Sequence, residues 1–220
     1  MLIKALRKLQ SFGFDAKSIL DIGAYKGKWS MEVRKTVFPN SSYTLVEAID
    51  YQELRLLSNR YDNINFFNLL LDEKEQDVTW YEKRNTGDSI FKENTSYFED
   101  SEKIERLTTT LDKSFSSHYT FDLIKIDCQG AELPILKGGK KLVQSAKVII
   151  LEVPFMGQYN IGVSNFFEHI KYMQEIGYSV FDIVELHRVE DILIQIDLIF
   201  IKNGHGFEKH VDQIIKNLGR

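Results

Sequence analysis

Short apolar segments alternate with amphipathic segments of helical length over the first two thirds of the chain. The apolar segments are rich in Leu, Ile and Val, as buried strands are, and the amphipathic segments repeat their apolar residues at helical spacing. This alternation predicts a parallel sheet with helices on both faces. The first predicted strand begins at Ser18 and the others are 43–49, 64–70, 121–127 and 147–153; the predicted helices are 29–37, 51–60 and one from Ala131 to the glycines at 138–139.

The last third of the chain departs from this parallel pattern. A helix is predicted to begin at a Ser164 cap and to end at residue 175 or 176, and a closing helix is predicted over 207–218. Two strands, 178–184 and 193–202, have a short connection that favours an antiparallel pair. We therefore predict an α/β fold with a doubly wound, Rossmann-like sheet, mostly parallel with an antiparallel strand near the C-terminus. The side chains predicted to face the core from the Ser164-capped helix are Phe166, Phe167, Ile170 and Met173.

The N-terminal residues 1–14 are predicted to form a helix. Leu2, Leu6 and Leu9 fall on one helical face, and basic residues lie elsewhere. This pattern favours a helix that packs on the domain, and a helix that lies on a membrane surface is the alternative.

A polar segment, 84–101, interrupts the regular alternation. Short strands are predicted on either side of it, at 77–81 and 105–110. The segment is interpreted either as a lid loop over a site or as a surface excursion. No repeat or linker divides the sequence, so we predict one domain over residues 1–220.

Composition limits the classes of function. The chain carries 28 basic and 32 acidic side chains, a net charge of −4, whereas general nucleic-acid binders usually show a basic excess. Cys128 is the only cysteine, which excludes an intrachain disulfide and fits a reducing compartment. No apolar run approaches the roughly 20 residues that span a bilayer, and the N-terminus does not resemble a signal peptide. We therefore expect a cytoplasmic protein that binds no nucleic acid.

A glycine-containing turn follows the first predicted strand. Its sequence is Asp21-Ile22-Gly23-Ala24-Tyr25-Lys26-Gly27, and Glu47 lies 24 residues after Gly23 at the end of the second strand. Glycine lets a backbone approach a ligand closely, and nucleotide-binding α/β sheets place an acidic residue roughly 20 residues further on to hold ribose. The pair indicates a nucleotide-type cofactor, although the turn alone is also consistent with an ordinary strand–turn–helix corner.

Acidic residues collect at the ends of the predicted parallel strands, where open α/β sheets bind ligands. Asp21, Glu47, Asp127 and Glu152 lie at or near these ends, and Asp72 lies just past the third strand. Each is either a ligand-binding carboxylate or a carboxylate that caps a helix or turn. Asp127 and Glu152 are candidates for contact with an acceptor, a metal or a proton. The sequence shows no His or Cys cluster with ligand spacing, so no metal ligands are predicted.

The segment after the fourth predicted strand carries the most specific motif. LIKIDCQGAELPILKGG closely resembles the signature of FkbM-type methyltransferases, S-adenosylmethionine-dependent enzymes that mostly methylate hydroxyl oxygens of sugars, glycans and natural products. The resemblance extends roughly over residues 19–153. It includes DIGAYKG, LVEAI, the segments 70–72, 87–89 and 110–112, and ILEV after the signature.

The resemblance implies a role for each matching position, with S-adenosylmethionine as the cofactor. Asp21, Gly23 and Ala24 would lie against the methionine part of the cofactor, and Glu47 would hold the ribose. The positions expected near adenine are Leu71 and Asp72, and those expected on the methyl-transfer side are Asp127, Gln129 and Glu132.

Methyl transfer to an alcohol needs a group that orients the hydroxyl or removes its proton. We predict Asp127 for this role, with Glu132 and His118 as weaker candidates. Cys128 is interpreted as a small buried residue, since no histidine partner is evident near it.

Two further classes of function are weighed against this one. A nicotinamide-dependent oxidoreductase uses a similar sheet, but Ala24-Tyr25 stands where its closely spaced second glycine is expected. A non-catalytic binding domain on the same fold is the other alternative, and the acidic residues at the strand ends argue against it. The acceptor is expected to be a small molecule or a glycan.

Overall fold

The computed structural model describes residues 1–115, 118–157 and 159–218. No helix in these ranges has the length and hydrophobicity that crossing a membrane requires. The helices are α1 (Leu2–Ser11), α2 (Lys28–Thr36), α3 (Gln52–Arg60), α4 (Leu111–Ser114), α5 (Glu132–Gly138), α6 (Lys140–Val143), α7 (Phe166–Glu175) and α8 (Phe207–Lys216). The strands are β1 (Ser18–Ile22), β2 (Ser42–Glu47), β3 (Ile64–Asn68), β4 (Asp77–Glu82), β5 (Glu102–Leu107), β6 (Leu123–Ile126), β7 (Val148–Pro154), β8 (Tyr178–Val189) and β9 (Ile192–Lys202).

Seven of these strands form one sheet in the order β3-β2-β1-β6-β7-β9-β8. Neighbours from β3 to β7 are parallel, whereas β9 is antiparallel to both β7 and β8. The predicted α/β sheet, mostly parallel with an antiparallel strand near the C-terminus, is confirmed. The strand order reverses at β1, which lies between β2 and β6, and this leaves a crevice at the carboxyl ends of the three strands.

Apolar side chains cover both faces of the sheet. On one face Leu9 of α1 packs in the same layer as Val33 of α2 and Leu54 of α3. On the other face Leu136 of α5 and Met173 of α7 belong to the second layer. Because β7 has a strand on either side and a layer on either face, all of its residues are buried. The sheet is therefore a firm support for side chains at its carboxyl edge.

The segment between β3 and β6 forms a separate layer near this edge. Strands β4 and β5 pair antiparallel in a small sheet of their own. The polar segment 84–101 lies between them and is tied to the rest of the fold by two isolated bridges, Tyr81 with Ser89 and Glu93 with Asn160. Phe98, in a short 3-10 turn, is buried and anchors the segment.

Helix α7 differs in two details from the sequence prediction. Its cap is Asn165 rather than Ser164, because the Asn165 side chain accepts the Glu168 N–H at 3.1 Å while the Glu168 carboxylate accepts the Asn165 N–H at 2.7 Å. Phe167 was predicted to face the core but is 79% exposed. Successive residues of a helix are about 100° apart, so Phe167 points away from the buried stripe to which Phe166 belongs.

Candidate functional site

Two adjoining cavities open at the carboxyl ends of β1, β2, β6 and β7. The inner cavity has a volume of about 700 Å³ and lies over β1 and β2, and the outer cavity, of about 1020 Å³, lies over β7 to β9. Residues that line both cavities include Asp127 and Gln129. The inner cavity is mainly apolar, with a wall that includes Ile22, Val46, Leu70, Leu71, Trp80 and Ile135.

The glycine turn closes one end of the inner cavity. Gly23 has a φ of +75°, and a Cβ at this position would overlap the carbonyl oxygen of Asp127. The N–H groups of Gly23 and Ala24 donate to the Val46 carbonyl at 3.0 and 3.1 Å. Glycine is therefore required here chiefly because the ends of β1 and β6 pack so closely, although Gly23 also lines the cavity. Ala24 is buried and does not line either cavity.

Glu47 lies at the end of β2 in the wall of the inner cavity. Its carboxylate accepts the Tyr25 N–H at 2.7 Å and the Ile49 N–H at 3.1 Å. Burial raises the pKa of Glu47, and these backbone donors act in the opposite direction. The side chain is thus fixed by the turns that follow β1 and β2, with its remaining acceptor capacity available to ligand hydroxyls.

Asp21 and Lys125 form a buried pair beneath the turn. Ser30 Oγ donates to Asp21 Oδ2 at 2.6 Å, and Lys125 Nζ lies 3.8 Å from Asp21 Oδ1. Burial raises the pKa of Asp21, with Lys125 opposing that effect. Asp21 does not line either cavity, and its contacts with Ser30 and Lys125 lie beneath the turn.

Lys125 contacts two of the predicted site residues, Asp21 and Asp127, although the motifs did not single it out. Burial alone lowers the pKa of its ammonium group, but the charges of Asp127 and Asp21 outweigh burial and hold the pKa above its ordinary value. Its Nζ donates to Asp127 Oδ2 at 2.9 Å. A lysine inside the apolar run of β6 is the signal that marks it, because a buried charge requires a partner.

Asp127 stands where the two cavities meet. Lys125 occupies its Oδ2, and Gln129 Nε2 lies 3.4 Å from its Oδ1. The same Gln129 nitrogen donates to Glu152 Oε2 at 2.8 Å. Burial, and then the charge of Asp127, raise the pKa of Glu152 well above its usual value. The predicted residues Asp127 and Gln129 are therefore brought together, and Glu152 lies beside them.

Glu132 lies behind the turn that follows Asp127. Its Oε1 accepts the N–H groups of Cys128 at 2.8 Å and Gly130 at 3.3 Å, and burial raises its pKa to about 7. It does not line either cavity. This geometry fits a residue that positions Asp127 and Gln129 better than one that contacts substrate.

The two positions expected near adenine separate in space. Leu71 lines the inner cavity, whereas the Asp72 carboxylate accepts the Glu73 N–H and the Gln76 side-chain amide, each at 2.7 Å. Asp72 does not line a cavity and stabilises its own turn. His118, the weaker candidate for a base, is exposed and also lies outside both cavities.

Residues from the segment 84–101 line both cavities, a placement that the sequence pattern left open. Thr86 lines both, Asp88 lines the inner one, and Tyr97 lines the outer one. Ser89 Oγ donates to the Gln129 carbonyl at 2.9 Å and so ties the segment to the turn after β6. Trp80, at the margin of the segment, is buried against the core and faces the inner cavity.

Comparison with known proteins identifies the class of this site. The sequence profile of the methyltransferase FkbM domain matches residues 21–180, which contain every predicted site residue. A search of curated protein sequences finds no significant match.

Solved structures with the same fold include several methyltransferases. One is the 1,6-didemethyltoxoflavin N1-methyltransferase of Burkholderia thailandensis with S-adenosylhomocysteine bound, which is 12% identical, with a TM-score of 0.52 over 90% of this chain and 76% of that chain. Another is the N-methyltransferase NodS of Bradyrhizobium japonicum WM9 with S-adenosylhomocysteine, which is 11% identical, with a TM-score of 0.51 over 92% of this chain and 86% of that chain. A third is the magnesium protoporphyrin IX methyltransferase of Synechocystis PCC 6803 with S-adenosylmethionine bound, which is 9% identical, with a TM-score of 0.51 over 91% of this chain and 77% of that chain.

Proposed function

Since the chain belongs to the FkbM methyltransferase family, we propose that it transfers a methyl group to a hydroxyl oxygen of a sugar, a glycan or a natural product. The enzyme is a methyltransferase and its cofactor is S-adenosylmethionine. The observation that carries the proposal is the position of Asp127, a carboxylate at the junction of an apolar cavity and a polar one.

The inner cavity fits the cofactor in its chemistry. Its apolar wall suits a purine ring. Glu47, held by the N–H groups of Tyr25 and Ile49, would accept ribose hydroxyls. When bound, S-adenosylmethionine supplies a methyl group on a positively charged sulfur, and the Asp127 end of the cavity presents negative charge to it.

The outer cavity fits an uncharged, hydroxyl-bearing acceptor. Glu93 and Asp127 face it, and these carboxylates repel phosphate groups while accepting hydrogen bonds from hydroxyls. Tyr97 and Tyr159 lie on its wall, and tyrosine is a side chain type that packs against sugars. Both features support a sugar or natural product over a nucleic acid as the acceptor.

Asp127 is proposed to orient the acceptor hydroxyl and to accept its proton. Lys125 engages Oδ2, so Oδ1 is the oxygen that remains for the acceptor. Gln129 bridges Asp127 and Glu152 and restricts the direction of approach. Holding the acceptor oxygen in line with the methyl group accounts for most of the rate enhancement in such a transfer.

Two measurements test the proposal. Calorimetric titration with S-adenosylhomocysteine is expected to show micromolar binding that weakens about tenfold or more in Glu47→Ala, whereas the exposed control Glu32→Ala on α2 binds like the wild type. A screen of sugar, glycan and natural-product alcohols is then expected to give a methyl ether, detected by mass spectrometry.

Binding of NAD in place of S-adenosylhomocysteine would point to the oxidoreductase alternative. Cofactor binding without any methylated alcohol would favour the non-catalytic domain, and a product methylated on nitrogen or carbon would overturn the oxygen acceptor.

A further inference from the structure

Three side chains of metal-binding type meet in the wall of the outer cavity. Glu152 lies on β7, His187 on β8 and Asp197 on β9, and their ligand atoms all lie within 4.8 Å of one another. Glu152 and Asp197 are direct cross-strand partners, and His187 pairs with Gln195, two residues from Asp197 on the same face. Three neighbouring strands therefore hold the cluster on one face of the sheet.

The carboxylates of this cluster have few hydrogen-bond donors, and the nearby Lys125 does not donate to either of them. Asp197 Oδ1 is shielded from water and accepts no hydrogen bond from the described part of the chain, and His187 Nε2 lies 3.6 Å from it. Glu152 is only 8% exposed and receives a hydrogen bond from the neutral amide of Gln129. The neighbouring Lys125 donates to Asp127 instead. Burying carboxylates with so little compensation is costly unless a cation joins them.

We propose that Glu152, His187 and Asp197 bind a divalent transition-metal ion, such as Mn²⁺ or Zn²⁺, in the wall of the outer cavity. Two carboxylates and an imidazole form a donor set that such ions accept. Ligand distances of about 2.0–2.2 Å place neighbouring ligand atoms roughly 3–4 Å apart. The 3.6 Å between His187 Nε2 and Asp197 Oδ1 already falls in this range.

The position of the cluster indicates what the ion contributes. Glu152 and His187 line the outer cavity, so an ion held by them would be accessible to the proposed acceptor. It would lower the pKa of an acceptor hydroxyl, and Asp127 lies in the same wall, where it would receive the proton. This consequence rests on the proposed function, whereas binding of the ion does not.

Titration of the purified, chelator-treated protein with Mn²⁺ tests the site directly. Electron paramagnetic resonance of free Mn²⁺ is expected to report one bound ion per chain, with a parallel increase in the melting temperature. The isosteric variants Glu152→Gln and Asp197→Asn, and also His187→Gln, are expected to weaken the affinity at least about tenfold. Asp182→Asn, an exposed position on β8, is the matched control and binds like the wild type.

No Mn²⁺ or Zn²⁺ binding by the folded protein at millimolar ion would overturn the proposal, as would binding that all three variants retain. Circular dichroism establishes whether each variant is folded. If a variant is not folded, the titration of the wild type alone decides whether the protein binds the ion. No acceptor is used in these titrations. If the protein binds no metal ion, the result for S-adenosylhomocysteine binding still stands. If the protein methylates no alcohol, the result of the metal titration still stands.

Discussion

The inner and outer cavities differ in how completely their acidic groups are partnered. In the inner cavity Glu47 accepts two backbone N–H groups. At the outer cavity Glu152 receives a neutral amide donor, and Asp197 Oδ1 has no hydrogen-bond donor among the described residues. The protein itself therefore holds the carboxylate of the inner cavity, whereas the carboxylates at the outer cavity have acceptor capacity left for a ligand.

The difference follows from the elements that form each cavity. Glu47 lies where two turns meet, and it accepts the Tyr25 N–H from the turn after β1 and the Ile49 N–H from the turn after β2. Glu152, His187 and Asp197 project from neighbouring strands β7, β8 and β9, whose backbone groups pair with one another, so these side chains must find partners elsewhere. Three substitutions test this contrast: one at Asp127 where the cavities meet, one at Gly23 in the turn after β1, and one at Glu132 behind the turn after β6.

The largest effect is expected from Asp127→Asn at the junction of the cavities. Turnover should fall by about 10²–10⁴, because the variant loses the carboxylate that accepts the hydroxyl proton. Affinity for S-adenosylhomocysteine should change less than about threefold, since the Glu47 end of the site is untouched. Single-turnover kinetics and calorimetry measure the two quantities. Unchanged turnover would remove Asp127 from the base role, and an equal loss of cofactor binding would erase the contrast between the cavities.

The next largest effect is expected from Gly23→Ala in the inner turn. The new Cβ would overlap the Asp127 carbonyl at a φ of +75°, so the free energy of unfolding should fall by about 3–5 kcal/mol. Gly13→Ala separates the two causes, since Gly13 has a φ of +88° but no neighbour within 4 Å of a Cβ. This control should lose only about 1–2 kcal/mol. Urea denaturation measures both, and equal losses would show that φ strain, not packing of β1 on β6, explains the glycine.

A smaller effect is expected from Glu132→Gln, behind the turn after β6. It concerns the free energy of unfolding and is limited to a pH window. Burial raises the pKa of Glu132 from 4.5 to about 7, so the folded protein holds this proton more tightly than the unfolded chain. Its stabilising contribution is present below pH 4.5 and is lost as the pH rises to about 7. The wild type should therefore lose up to about 3 kcal/mol relative to Glu132→Gln across this window.

Urea denaturation at a series of pH values measures the difference for Glu132→Gln. Glu99→Gln, at an exposed position of the segment 84–101, is the control and should follow the wild type at every pH. A constant difference between the wild type and Glu132→Gln from pH 4.5 to 7 would contradict the buried, proton-holding role of Glu132.

Most of the fold was predictable because its signals are local. Periodic apolar residues indicated α1 to α3 and the strands β1, β2, β3, β6 and β7, and the short link between β8 and β9 indicated their antiparallel pairing. The errors in α7 are local as well: Asn165 and Ser164 are both good caps, and only the reciprocal bonds with Glu168 select one of them.

The candidate site was predictable in part. The motifs assigned Gly23, Glu47 and Leu71 to the cofactor, and Asp127 with Gln129 to the methyl-transfer side; the first three line the inner cavity and the other two line both cavities. The same motifs also marked residues that do not line a cavity, because a motif does not specify which way a side chain points. These residues are Asp21, Ala24, Asp72 and Glu132.

The sequence by itself determined the order of the elements, the family and the cofactor end of the site, because each depends on residues close together along the chain. Only the tertiary structure decided which carboxylates face a cavity and which are buried as supports. It also brought His187 and Asp197 to Glu152, although at least 35 residues separate them from it. On β8 and β9 the alternating polar residues are typical of an ordinary exposed face. Only the pairing of β9 with β7 brings that face to the outer cavity.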